Sequence, residues 1–147
     1  MEELKIAIGA DHGGFKLKEK IVQYLKDNNI EFKDFGTFDE NSCDYPDYGK
    51  KVAIEVSKGN FNRGILVCGS GIGMSIVANK VKGVIAALCW NKATAESART
   101  HNNSNVLCLG ERQTDDKLAL EMVDIWLNTE FEGGRHKIRV DKIEGSK

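Results

Sequence analysis

Short apolar runs alternate with longer amphipathic segments along the chain. Five runs have the length of β-strands: residues 5–10, 30–36, 64–69, 83–89 and 105–110. Four of the five are almost continuously apolar, which is typical of parallel strands covered on both faces. The pattern therefore predicts five mostly buried parallel strands.

The segments between the strands show the spacing of amphipathic helices. Two are especially clear, with apolar positions recurring every three or four residues: Leu17, Ile21, Tyr24 and Leu25 in one, and Ala119, Met122, Val123 and Trp126 in the other. Asn28-Asn29 is a plausible end for the first helix. Asp115 and Asp116 favour the positive start of the last one.

Alternating strands and helices predict an α/β fold with helices on both faces of a parallel sheet. We expect a three-layer α/β/α sandwich with a five-stranded parallel sheet, Rossmann-like and doubly wound. Residues 1–147 are interpreted as one domain. Pro46 is expected in a loop before the second helix. The tail, residues 128–147, leaves the helix period and is expected to cross the surface or pack on a neighbouring subunit.

Composition narrows the class of protein. The net charge of the 147 residues is -1, and neither a broad basic field nor a basic amphipathic helix indicates nucleic acid or a membrane surface. The N-terminus lacks the pattern of a signal peptide. The four cysteines have no C-x-x-C spacing, and Cys89 and Cys108 are interpreted as buried small hydrophobes. We therefore expect a reducing, cytoplasmic setting.

The stretch "ILVCGSGIGMSIVANK" (65–80) places Cys68 where a strand turns through Gly69, Gly71 and Gly73 into a helix. Unobstructed N–H groups at a helix start bind anions, and they also favour the thiolate form of a nearby cysteine. The spacing fits neither a dinucleotide fingerprint nor a Walker A loop, and Met74 stands where a cysteine phosphatase needs arginine. A glycine-rich turn with only a packing role is the alternative.

Other candidate groups are an aspartate, the histidines and several arginines. Asp11 and His12 follow the first strand, so they are expected at the same sheet edge as Cys68 and Ser70; Asp11 is also a candidate helix cap. His101 lies at the end of the fourth helix. Arg135 and Arg139 follow Gly-Gly in "EGGRHKIRV" and could grip a phosphate or carboxylate. We find no metal-ligand cluster in the sequence, and the set of groups suits proton transfer on a small phosphorylated substrate.

Six motifs in order give the chain a family resemblance: "IGADHGGFKLK", "DYPDYG", "CGSGIGMSIVANK", "ARTHNNSNVL", "LGER" and "EGGRHKIRV". Over nearly its whole length the chain resembles the type B ribose-5-phosphate isomerases and the related galactose-6-phosphate isomerase subunits. The resemblance implies interconversion of D-ribose 5-phosphate and D-ribulose 5-phosphate in the pentose phosphate pathway, without metal or cofactor.

The resemblance also implies a role for each matching residue. Cys68 matches the catalytic base, His101 the acid that opens the sugar ring, and Asp11 its assistant. The enediolate-stabilising loop matches Gly69, Ser70, Gly71, Ile72 and Gly73. The phosphate binders match His12, Arg112, Arg135 and Arg139, and the sugar contacts match Asn102 and Tyr45. Some members use a glutamate base where this chain has Met74, and many have threonine where it has Ser70.

Two alternatives stay open. An isomerase of a six-carbon aldose 6-phosphate, such as galactose or allose 6-phosphate, differs only in pocket depth. A non-catalytic nucleotide-binding module is a more distant alternative.

The order of elements also carries a prediction about assembly. A helix that follows a parallel strand returns to the opposite edge of the sheet, so His101 is expected far from Cys68. We therefore expect a homodimer, or a dimer of dimers, in which His101 completes a neighbouring protomer's active site.

Overall fold

A computed structural model describes residues 2–144 and shows one five-stranded sheet in which every pairing is parallel. The strand order is β2-β1-β3-β5-β4. The strands are β1 (Lys5–Ala10), β2 (Glu31–Asp34), β3 (Arg63–Cys68), β4 (Ala86–Leu88) and β5 (Val106–Gly110).

Residues 2–144 also form six helices, which connect and follow these strands. They are α1 (Phe15–Asp27), α2 (Tyr45–Ser57), α3 (Ile72–Asn79), α4 (Lys92–Thr100), α5 (Asp116–Asn128) and α6 (Arg135–Asp141). Among the described residues no helix is long and apolar enough to cross a bilayer.

Two hydrophobic cores lie on opposite faces of the sheet. One joins the apolar faces of α1, α4 and α5 to the sheet and contains Trp126. The other joins α2 and α3 to the opposite face and contains Met74. All residues of β3 and β5 are buried, as predicted for strands covered on both faces. The predicted three-layer, doubly wound α/β fold is confirmed.

Local capping explains where several helices begin and end. The Asp115 side chain accepts a hydrogen bond from the Leu118 N–H at the start of α5. At the end of α1 Asn28 is the cap residue, and Asn29 has a positive φ of 54°. These two ends were predicted. Pro46 was misplaced, because it lies in the first turn of α2, where a missing N–H costs no helical hydrogen bond.

Two further expectations are corrected. The tail is not irregular throughout, since residues 135–141 form α6 after Gly133 and Gly134, which both have positive φ. Its only buried residue is His136, so no apolar periodicity marks it. The predicted strand 83–89 is only Ala86–Leu88, and its residues are half-buried because β4 is an edge strand.

The topology creates a crevice between β1 and β3. The chain leaves β1 toward β2 on one side, whereas β3 leads into elements on the other side. Ligands of open parallel sheets bind beyond the carboxyl ends of the strands at such a switch point. The register pairs Ala10 with Val67 and Cys68 with Gly110, so the loops after β1, β3 and β5 meet at one edge.

Candidate functional site

Cys68 is the last residue of β3 and lies at the carboxyl edge of the sheet. Its side chain is buried, with 5% of the residue exposed. The Gly71 N–H donates a hydrogen bond to its Sγ over 3.1 Å. An N–H directed at the sulfur stabilises a negative charge there. The sulfur therefore lies within the turn where α3 begins.

The conformation of the glycine turn directs the Gly71 N–H at Cys68. Gly71 adopts a left-handed conformation with φ 78°, and a Cβ there would lie 2.5 Å from the Leu88 side chain. Only glycine fits such a position. The Ser70 Oγ accepts a hydrogen bond from the Ile72 N–H over 3.2 Å. The Tyr45 ring packs against Gly73, where a Cβ would lie 2.7 Å from it.

Arg112 lies directly against the glycine turn. A Cβ on Gly69 would lie 2.5 Å from the Arg112 Nη1, so the guanidinium occupies the space that a side chain would take. The Arg112 N–H donates to the Gly69 carbonyl over 3.0 Å, which ties the loop after β5 to the loop after β3. The site thus combines a thiol, a glycine turn and a guanidinium.

Asp11 and His12 extend the same edge. Asp11 is 8% exposed, and its Oδ1 accepts a hydrogen bond from the Gly14 N–H over 3.1 Å at the start of α1. A Cβ on Gly13 would lie 3.3 Å from the Asp11 Oδ1 and 3.5 Å from the Arg112 Nη2. The loop after β1 therefore packs closely against Arg112.

The orientation of His12 depends on a residue that sequence reasoning missed. The Cys43 N–H donates to the His12 Nδ1 over 3.2 Å, and the Cys43 Sγ lies 3.8 Å from the same atom. Because Nδ1 accepts this bond, a neutral His12 carries its proton on Nε2. Cys43 lies 31 positions away along the chain, and no local pattern signals the contact.

Glu111 was also missed as a contributor to the site. Its Oε1 accepts a hydrogen bond from the Leu17 N–H over 2.7 Å and so caps α1 from the loop after β5. Its neighbour Arg112 is thereby held at the switch point. The motif "LGER" contained this signal, because an acidic side chain favours a helix N-terminus.

A second group lies elsewhere in the chain. It contains the remaining predicted residues, His101, Asn102, Arg135 and Arg139, together with Glu132 and His136. His101 is exposed at the end of α4, and its ring stacks on that of His136 with centroids 4.4 Å apart. Asn102 follows it and is exposed. The Glu132 N–H donates to the Thr100 carbonyl over 3.1 Å and holds the start of the tail against α4.

Arg135 and Arg139 belong to this second group. Both are exposed on α6, on either side of the buried His136. Burial, together with electrostatic interactions with His101 and Arg135, lowers the pKa of His136, and the Glu132 carboxylate opposes this effect. The two arginines therefore bring positive charge to the group, and Glu132 brings a carboxylate.

The two groups lie at opposite edges of the sheet. His101 precedes β5, whereas Cys68 pairs with Gly110 at the carboxyl end of β5. The rise from Val106 to Gly110 alone is about 13 Å. The structure thus brings Cys68, Asp11, His12, Tyr45 and Arg112 to the region of the glycine turn. It brings His101, Asn102, Arg135 and Arg139 together at the other edge.

The other buried cysteines differ from Cys68 in their surroundings. Cys89 and Cys108 are 2% and 0% exposed and belong to the two cores, as predicted. Burial raises the pKa of Cys89 to about 11, and burial also raises the pKa of Cys108. Neither thiol is suited to proton transfer near neutral pH.

The fold and the site define a doubly wound parallel α/β protein with a thiol, a glycine turn and an arginine at its switch point. The chain belongs to the Ribose/Galactose Isomerase family, whose model matches residues 6–143. The predicted family and the prediction of an isomerase are both confirmed.

Individual relatives cover almost all of the chain. A solved ribose-5-phosphate isomerase B from Clostridium thermocellum is 53% identical, with a TM-score of 0.94 and 95% of each chain covered. A ribose-5-P isomerase B from Listeria innocua is 43% identical over 141 residues, covering 96% of this chain and 95% of the relative. The enzyme from Mycoplasma genitalium, solved with bound ribulose 5-phosphate, is 43% identical, with a TM-score of 0.92, covering 97% of this chain and 95% of that one.

Proposed function

We propose that this protein interconverts D-ribose 5-phosphate and D-ribulose 5-phosphate through an enediolate, as a step of the pentose phosphate pathway. The observation that carries the proposal is the Cys68 Sγ at the glycine turn, 3.1 Å from the Gly71 N and beside the Arg112 guanidinium. The names of the relatives and the ribulose 5-phosphate bound to one of them support the choice of substrate.

The chemistry is a proton transfer between neighbouring carbons. The Cys68 thiolate removes the proton from carbon 2 of the open-chain aldose and returns it to carbon 1. The carbonyl oxygen on carbon 1 gains a proton, and the hydroxyl on carbon 2 loses one. Stabilisation of the enediolate oxygens is assigned to the loop of Gly69, Ser70, Gly71, Ile72 and Gly73, with the Ser70 hydroxyl beside it. In the structure, the Gly71 N–H donates to the Cys68 Sγ and the Ile72 N–H donates to the Ser70 Oγ. Met74, which is fully buried, offers no proton-accepting group.

The phosphate is assigned to basic groups at the crevice. His12 and Arg112 lie on the same sheet edge as Cys68, and the proton on His12 Nε2 is available for donation to an anion. An arginine guanidinium binds a phosphate through two parallel N–H···O hydrogen bonds. Arg135 and Arg139 are assigned to the same phosphate from a neighbouring protomer, since α6 lies at the other edge of its own chain.

Ring opening is assigned to His101, with Asp11 assisting at the ring hydroxyl and with Asn102 and Tyr45 contacting the sugar. Within one chain His101 lies too far from Cys68 to share a substrate. A two-fold homodimer, alone or within a dimer of dimers, resolves this because each protomer can lend its second group to its partner. Ile138 and Ile143, about 60% exposed on the tail, supply apolar surface for such packing.

The proposed assembly extends to the tail and to the setting of the protein. Ile138 and Ile143 line a cavity of about 650 Å³ beside Gly83 and Ile85 that a neighbouring chain can fill. We interpret residues 1–147 as a single isomerase domain whose tail packs there. All four cysteines are free, which favours a reducing, cytoplasmic setting.

An assay on a panel of aldose phosphates tests the function. EDTA-treated protein should isomerise ribose 5-phosphate faster than galactose 6-phosphate or allose 6-phosphate. The family description also includes galactose. Faster turnover of galactose 6-phosphate would therefore identify that sugar as the substrate in place of ribose 5-phosphate. Cys68→Ala should abolish turnover while keeping sugar-phosphate binding, because the thiolate acts on carbon-bound protons. The control Cys108→Ala, which removes a core thiol, should stay active. Wild-type kcat in Cys68→Ala would refute the assignment of the base.

Subunit mixing tests the shared site. Cys68→Ala and His101→Ala should each be inactive as homodimers. After subunit exchange, one of the two sites in a mixed dimer combines an intact Cys68 with an intact His101, so activity should return. If exchange is demonstrated, for example by mass spectrometry, and the mixture stays inactive, the two residues do not act across an interface.

A further inference from the structure

Three potential metal ligands meet at the second group: Glu132 and His136, which are four positions apart, and His101 at the end of α4. One ligand atom each from His101, Glu132 and His136 lies within 4.8 Å of the others. In the part of the chain that the structure describes, this is the only such group of histidine, cysteine or acidic residues. Within residues 2–144 the ion pair of Glu132 is formed with His136 and not with a lysine or an arginine.

His136 provides an independent sign that the group lacks a partner. It is 8% exposed, and its Nε2 is buried without a hydrogen bond to any described residue. The Glu132 Oε1 lies 3.4 Å from this nitrogen, which is too long for a good hydrogen bond. A buried polar nitrogen without a partner is costly, so the position favours a ligand that accepts its lone pair.

The donor set selects the kind of ion. Two imidazoles and a carboxylate suit Zn²⁺ and its neighbours in the first transition series, with a water as fourth ligand. Bond lengths of about 2.0–2.1 Å in a tetrahedron put the ligand atoms about 3.3 Å apart. The group must therefore contract by about 1.5 Å at most. His101 and Glu132 are exposed and can move toward an ion, which requires the His101 ring to turn out of its stack on His136, whereas His136 is held by burial.

We propose that His101, Glu132 and His136 form a binding site for a divalent transition-metal ion such as Zn²⁺. The site is inhibitory, not catalytic. The positive charges of Arg135 and Arg139 act on His136 and oppose the binding of a cation beside it, while the Glu132 carboxylate offsets part of that repulsion. We therefore expect reversible binding, not a permanently occupied structural site.

The consequence for activity rests on the proposed function. If His101 opens the sugar ring, an imidazole held by a metal ion can no longer move a proton. Zn²⁺ should then inhibit turnover of ribose 5-phosphate, which exists mainly as a closed ring, and EDTA should restore it. Inhibition and direct binding are measured separately, so the metal site can be tested whatever the substrate is.

Cobalt titration of the full-length protein tests the binding. Co²⁺ bound by nitrogen and oxygen ligands should give visible d–d absorption without the intense near-ultraviolet bands of thiolate ligands. His136→Ala and Glu132→Gln should weaken binding by at least about tenfold, since loss of even an indirect partner of a ligand costs 10–100-fold. His12→Ala, which removes the histidine outside the group, should bind Co²⁺ as the wild type does.

Two results would overturn the proposal. Thiolate bands in the cobalt spectrum would place the ion on a cysteine. Unchanged affinity in Glu132→Gln, whose exposed side chain can be replaced without disturbing the fold, would exclude the carboxylate ligand. In the activity assay Glu132→Gln should keep its turnover and lose its sensitivity to Zn²⁺. An inactive protein that still binds Co²⁺ at this group would refute the isomerase proposal and leave the metal site intact.

Discussion

Replacing Gly69 by alanine should weaken substrate binding and leave the stability of the fold almost unchanged. A Cβ at this position would lie 2.5 Å from the Arg112 Nη1 and 3.0 Å from its Cζ, well inside an ordinary contact distance of about 3.5–4.0 Å. The obstructing atoms belong to the far end of a flexible, exposed side chain. The guanidinium should therefore move by about 1 Å while the backbone stays in place.

The magnitude follows from what Arg112 is proposed to bind. Loss of a charge-assisted contact to phosphate costs about 1.5–3 kcal/mol, which corresponds to a loss of about 10- to 100-fold in kcat/KM. The stability of the protein should change by less than about 1 kcal/mol, since alanine also restricts the unfolded chain. Steady-state kinetics on ribose 5-phosphate and urea denaturation measure the two effects.

Gly14→Ala is the matched control. Its Cβ would lie 2.4 Å from the Val67 carbonyl oxygen, an atom of the central strand that cannot move aside. Overpacking of this kind costs about 1–3 kcal/mol or more, so this variant should be the less stable of the two. In an Arg112→Ala background, Gly69→Ala should have no further effect on kcat/KM. Additive losses in that double variant, or equal destabilisation by both alanines, would refute the reasoning.

Two further substitutions test α6 and the protein interior. Arg139→Ala should raise KM for phosphorylated sugars by about tenfold or more and can lower kcat as well. Lys137→Ala, which removes an exposed charge paired with Asp141 on the same helix, should leave the kinetics unchanged. Unchanged kinetics in Arg139→Ala would show that α6 does not bind the phosphate. Asp34→Ala should destabilise the fold by about 3 kcal/mol in urea denaturation. The Asp34 Oδ2 lies 2.5 Å from the Nζ of the fully buried Lys18, so its loss leaves a buried charge beside the Glu19 carboxylate. Lys18→Met should cost less, and the opposite order would show that the charge is not the dominant factor.

Burial on both faces explains why much of the fold could be predicted from the sequence. The strands β1, β3 and β5 lie in the middle of the sheet, so nearly all of their residues are apolar and the runs are easy to recognise. The edge strand β4 and the helix α6 bury little within one chain. Their residues therefore carry a weaker pattern, and their bounds or existence were predicted incorrectly.

The site likewise contains residues that the sequence pattern could place and contacts that it could not. Cys68, Asp11 and His12 could be placed at one edge because strand order along the chain and the parallel rule are enough to do so. Arg112 was assigned to the site only through the family resemblance. The contact of Cys43 with His12 joins a loop to a strand end 31 residues away and has no local signature. The meeting of Glu132 and His136 with His101 likewise depends on how the tail crosses the end of α4.

The position of α6 links these observations to the assembly. A parallel β-strand and the helix that follows it necessarily end at opposite edges of the sheet, so residues at a helix end cannot reach the strand-end site of their own chain. His101, Arg135 and Arg139 are nevertheless gathered in one exposed group, held by the stacked rings of His101 and His136 and by the hydrogen bond from Glu132 to Thr100. Two arginines and a histidine thus lie together at this edge, whereas Cys68 and the glycine turn lie at the opposite edge. The organisation of the second group is explained if it is delivered as a unit to the crevice of a neighbouring protomer, where Cys68 and Arg112 hold the other half of the same sugar phosphate.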